Sequence, residues 1–128
     1  MQNAIDWFEI PVADLPRAIA FYAEVLRIEL RRERVGDTDM AVFPYSPAAQ
    51  GVGGALVHRA RMRPSTEGVV VYLNAGADIR DAVDRAVKAG GRITMPVTDI
   101  GAPGLIALIQ DTERNIVGLH QARVPEPA

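Results

Sequence analysis

An internal repeat constrains this chain more than any other feature. Asp14 and Asp78 stand 64 residues apart, and each precedes a stretch whose apolar residues recur at helical spacing. At that offset Leu15 falls over Ile79, Ala18 over Ala82 and Ile19 over Val83. The alternating residues 5–12 then fall over the β-branched and aromatic residues 69–73. Element order and capping, more than residue identity, define the repeat.

In each copy the Asp is placed to cap free backbone N–H groups at a helix start, and Pro16 occupies a first-turn position where its missing N–H costs nothing. The first helix presents Leu15, Ala18, Ile19, Tyr22, Val25 and Leu26 on one face. The second presents Ile79, Ala82, Val83, Ala86 and Val87 and ends at Gly90-Gly91, where a left-handed residue is needed. Alternation along residues 5–12 puts Ile5, Trp7 and Glu9 on one side and Phe8, Ile10 and Val12 on the other.

Residues 29–34 and 40–45 read as a hairpin turning at Gly36-Asp37, with Pro44 near a strand end. Residues 55–58 read as a short strand after the glycine-rich loop 46–54, and the polar, aperiodic residues 59–68 as a connector between two halves. In the second half, residues 92–95, 105–110 and 116–120 read as strands. A Gly/Pro loop covers 98–104, and a polar turn from Asp111 to Asn115 enters the last strand. The expected fold class is α+β, with two βαβββ modules in tandem. Module one spans about 4–58 and module two about 69–122, within a single domain covering 1–128.

A length of 128 residues suits one hydrophobic core, and 48% hydrophobic with 23% charged residues is the mix of a globular chain. A net charge of −2 leaves no basic stripe to neutralise phosphates, so nucleic acid is not an expected partner. No apolar run approaches the roughly 20 residues needed to cross a bilayer, so no membrane partner is expected and the expected location is cytoplasmic. The absence of cysteine closes disulfide, thiolate-metal and nucleophilic-Cys chemistry.

The turn DTERN feeding the strand IVGLH resembles the closing hairpin of the vicinal-oxygen-chelate superfamily, where the turn usually reads Asp-Pro-Asp/Glu-Gly-Asn. WFEIPV, the helix containing AFY, GGALV, VVYLNAG, KAGG and NIVGLH are similar to small bacterial proteins described as glyoxalase-like or related to lactoylglutathione lyase. The resemblance covers residues 4–122. It implies the glyoxalase/bleomycin resistance/dihydroxybiphenyl dioxygenase fold, in which the modules form a curved mixed sheet around a cleft, and it implies a homodimer.

In metal-dependent members of that superfamily, ligands come from the first and last strands of both modules. Such sites need His, Glu or Gln to hold a divalent ion with open positions. Aligned on Asp14 and Asp78, the corresponding residues are Trp7, Gly54, Val71 and Gly118, and a slip of one or two positions offers only Val69, Val70 or Ala55. No standard metal site and no cofactor are therefore expected.

The polar residues left near these positions are Glu9, two beyond Trp7, and His120, two beyond Gly118, each on the face of its predecessor. With His58 they could form a displaced metal site, or Glu9 and His120 could act as an acid–base pair. The alternative is Glu9 paired with an arginine, His58 on the surface and His120 bonded to backbone. Trp7, Phe43 and Tyr45 are expected to line the cleft, and Tyr72 to face the helix side.

Two functions follow. The first is a metal-independent module binding a small organic molecule, as bleomycin-resistance proteins do, through Trp7, Glu9, Phe43, Tyr45, His58 and His120. The second is a glyoxalase-like lyase or isomerase using Glu9, His58 and His120, with Glu9 and His120 catalytic. A purely structural dimer is a third possibility, since fold alone assigns no role.

Overall fold

The computed structural model describes residues 3–49 and 51–123. The chain runs β1 (Trp7–Pro11), α1 (Leu15–Leu26), β2 (Arg31–Val35), β3 (Thr38–Val42), a 3-10 turn (Pro47–Ala49), β4 (Gly53–His58), β5 (Tyr72–Asn74), α2 (Ile79–Lys88), β6 (Arg92–Asp99), β7 (Gly104–Gln110) and β8 (Ile116–Ala122). Two four-stranded sheets result, ordered β1-β4-β3-β2 and β5-β8-β7-β6. In each, the first strand of the module pairs in parallel with the last, and the remaining pairs are antiparallel. This is the expected pair of βαβββ modules.

Both helices begin as the capping residues dictate. Asp14 Oδ1 accepts from Arg17 N at 3.0 Å and Asp78 Oδ1 accepts from Asp81 N at 3.2 Å. α1 packs on β3 and β4, α2 packs on β6, β7 and β8, and the helices pack on each other. A single buried cluster therefore runs through both modules, joining Ile10, Tyr22 and Leu56 to Ile79, Ile109 and Leu119. A second, smaller cluster of Met40, Val42, Ala55 and Val57 lies on the opposite face of the first sheet.

The strands differ from the sequence reading where partners, not propensity, decide. Residues 69–71 are β-branched yet lie outside β5, because pairing with β8 begins at Tyr72 opposite Gly118; Val69 is 93% exposed. β6 continues through Pro96 to Asp99, past the expected end at 95, with register shifts on either side of Met95 that absorb the missing proline N–H. β3 stops at Val42, ahead of Pro44.

The repeat offset is also not uniform. The equivalent ladder bonds Val12 N–H to Val57 O and Ala75 N–H to His120 O put the strands 63 residues apart, while the caps are 64 apart. The extra residue lies between Ala75 and Asp78, where Gly76 adopts φ +77°. One inserted residue reverses strand parity relative to the helix alignment. Glu9 is thus the counterpart of Tyr72, and Ala55 is the counterpart of Gly118.

Candidate functional site on the helix-free face

Ile10 and Val12 are buried under α1, and Leu73 and Ala75 hold the same place in the second module, so the neighbouring residues of β1 and β5 face the other way. On that helix-free face stand Trp7 and Glu9 of β1 and Tyr72 of β5. The sequence expectation for Tyr72 is corrected: Leu73 takes the helix side, and a Cβ at Gly118 would overlap the Tyr72 ring. Gly54, aligned with the metal-ligand positions, faces the helices instead, and the Phe8 ring fills the space its side chain would take.

Trp7 is 42% and Tyr45 44% exposed, and their rings meet edge to face with centroids 6.1 Å apart. Gly53 allows this, since a Cβ there would come within 2.7 Å of the Tyr45 ring and 2.9 Å of the Trp7 ring. Trp7 Nε1 donates to Glu9 Oε2 at 3.3 Å, and Arg59 donates to Glu9 Oε1 at 3.0 Å. Glu9 and Arg59 are both partly exposed, and Arg59 Nε is buried without a partner. Glu9 also borders a cavity of about 240 Å³ between β1, residues 69–71 and the start of β8, with Arg63, Ser65 and Glu67 of the connector on its wall.

The other candidates lie elsewhere. Phe43 is buried, packing on Phe8 and Tyr22 with centroids at 5.3 and 5.9 Å, and it borders an apolar cavity of about 860 Å³ with Val71 and Tyr72 that Tyr45 does not line. His58 is exposed on the side of β4 shared with Leu56, opposite to Ala55, which pairs with Glu9. His120 lies in the second sheet with Nε2 2.7 Å from the Pro103 carbonyl; that oxygen can only accept, so Nε2 carries the hydrogen. The structure brings Trp7, Glu9 and Tyr45 together and leaves Phe43, His58 and His120 apart from them.

A divalent ion does not fit these residues. Among the described residues no three His, Cys, Asp or Glu side chains converge. Both Glu9 oxygens are engaged, one by a guanidinium whose charge opposes a cation, and the His120 nitrogen that faces Pro103 is a donor. Glu9 pairs with an arginine, the alternative raised from the sequence; that the partner is Arg59, just beyond β4 in the aperiodic connector, no local pattern indicates.

Residues 4–119 match the family model described as the glyoxalase/bleomycin resistance protein/dioxygenase superfamily. The chain belongs to this superfamily. Its fold is similar to a glyoxylase/bleomycin resistance protein/dioxygenase domain from Frankia sp. EAN1pec, with TM-score 0.70 and 19% identity over 96% of this chain and 94% of that one. It is also similar to a glyoxalase/bleomycin resistance protein from Albidiferax ferrireducens T118, with TM-score 0.70 and 15% identity over 94% and 100% of the two chains. Glyoxalase I from Zea mays superposes with TM-score 0.70 and 23% identity over 96% of this chain, which spans 46% of the maize enzyme. No curated protein sequence matches the chain. At these identities the structural likeness speaks for the fold alone. Among the described residues no helix is long and apolar enough to cross a membrane.

Proposed function

We propose that this protein binds a small organic molecule on the helix-free face of its paired sheets, and that it does so without the divalent ion of its metal-dependent relatives. The observation that carries this reading is the grouping of an exposed Trp7–Tyr45 aromatic pair with a carboxylate held by Trp7 and Arg59. An apolar platform beside a polar anchor suits recognition of an amphipathic ligand. A carboxylate already engaged by a guanidinium is poorly suited to ligate a metal. The same reading takes the protein to be a cytoplasmic homodimer, with the exposed edge strands β2 and β6 as the surfaces to be covered.

Trp7 is the only tryptophan, so its emission reports directly on this face. Screening small amphipathic compounds by that emission is expected to find saturable binding that Glu9→Gln weakens, while the variant's urea stability stays within about 1 kcal/mol of the parent because the pair is partly solvated. Elemental analysis showing one tightly held zinc, nickel, manganese or iron per chain, lost on Glu9→Gln or His120→Ala, would establish the displaced-site lyase in its place.

A further inference from the structure

Away from the helix-free face, a pocket of about 470 Å³ opens where the two ends of module two meet the connector. Thr66 of the connector, Gly90 after α2, Arg92 and Gln110 at the paired ends of β6 and β7, and Thr112 and Arg114 of the closing turn line it. Asp111 also borders it, but the carboxylate is turned inward. One oxygen accepts from Glu113 N and Asn115 N, and the other from Tyr22 Oη and Asn115 Nδ2. Among the described residues neither Arg92 nor Arg114 forms an ion pair. Two arginines without an ion pair and a threonine therefore line one concavity in a chain whose net charge is −2.

Arg114 adds a second, independent observation. It sits at φ +70°, in the left-handed region where a Cβ is strained and glycine is at ease. Arg27 and Arg61 are also left-handed, but neither lines this pocket. Arg114 therefore holds its side chain in the wall of a pocket with another arginine from a left-handed turn.

We propose that this pocket is a binding site for a small oxyanion, a phosphate or a carboxylate, held by Arg92 and Arg114 with Thr66 as an auxiliary donor. Planar guanidinium groups match both anions through paired charge-assisted hydrogen bonds. The pocket shares no residue with the Trp7–Glu9 face, so the site stands whether or not that face binds a ligand.

The test uses thermal melting and isothermal titration with inorganic phosphate and with citrate, at constant ionic strength against chloride. Either anion is expected to raise the melting temperature of the parent saturably, and the tighter of the two identifies the class. Arg114→Gly relieves the strained backbone, so it is expected to melt no lower than the parent in chloride while binding the anion about tenfold more weakly. Arg92→Gln is expected to weaken binding similarly, and Arg31→Gln, on the exposed β2 edge, to leave it unchanged. No saturable effect in the parent, or an equal effect in parent and Arg114→Gly, would overturn the site and show only a general salt response.

Discussion

The two helices are copies of one repeat, yet they are held differently. α2 is capped from its own module: Asp78 accepts from Asp81 N, and Gln121 of β8 accepts from Ile79 N at 2.9 Å. α1 is held by the other module along its whole length. At its start Glu113 Oε1 accepts from Ala13 N at 2.9 Å and from Asp14 N at 2.7 Å, and Oε2 pairs with Arg17 Nε at 2.7 Å. At its middle Tyr22 Oη donates to Asp111 Oδ2 at 2.6 Å, and at its end Arg85 donates to the carbonyls of Glu24 and Val25. An acid at the N-terminus and a base at the C-terminus complement the helix dipole.

The difference shows how the two modules are joined. Asn115 extends the bond, donating to Pro11 O at 2.7 Å and accepting from Ser65 N at 3.1 Å. The closing turn of module two thereby clasps the first strand and first helix of module one together with the connector. Its polar groups are buried with their partners supplied, whereas Glu9 and Arg59 on the helix-free face are partly solvated and Arg59 Nε has no partner. The first pattern is that of structural polar groups.

The largest expected effect comes from breaking the clasp at its centre. Asp111→Ala leaves the buried Tyr22 hydroxyl and the backbone N–H groups of Glu113 and Asn115 without their acceptor. It should cost about 3–5 kcal/mol in urea unfolding. Burial pushes the Tyr22 hydroxyl well above its ordinary pKa, and the Asp111 charge and hydrogen bond add to this, so it remains a donor across the neutral range. A loss below about 1 kcal/mol would show that the hairpin and α1 are not coupled through this bond.

A middle-sized effect is expected at the N-terminus of α1, where Glu113→Ala should cost about 2 kcal/mol at neutral pH by uncapping two backbone donors. The pH dependence sharpens it. Burial raises the Glu113 carboxyl, but the Arg17 hydrogen bond, the Asp14 N–H, the Thr112 hydroxyl and the Arg17 charge outweigh it and hold the group below its ordinary value of 4.5. A lowered folded-state pKa means the contribution is complete above the unfolded value and is lost as pH falls through the folded one. The gap in urea midpoint between parent and variant should therefore narrow as pH falls below 4.5, and a constant gap down to acid pH would show that the ion pair does not contribute.

The smallest effect is expected in the other helix. Gln121→Ala removes one neutral hydrogen bond from the start of α2 and should cost about 0.5–1 kcal/mol with no pH dependence. A loss as large as that of Glu113→Ala would erase the contrast between the helices.

Much of the fold was legible because its signals are local. Capping aspartates, three-and-four spacing and strand alternation act within a few residues, so the two modules, both helix starts and the buried side of β1 could be read from them. The shared face of Trp7 and Glu9 followed from the same alternation. Tertiary structure alone decided which side of β5 carries Tyr72, because one inserted residue at Gly76 shifts strand parity without disturbing the helix alignment. It alone chose Arg59 as the arginine that pairs with Glu9, and supplied Glu113 to α1 from 100 residues away. Local propensity is summed along the chain, whereas the partner of a charge is set by the packing of elements distant in sequence, and no short-range pattern encodes it.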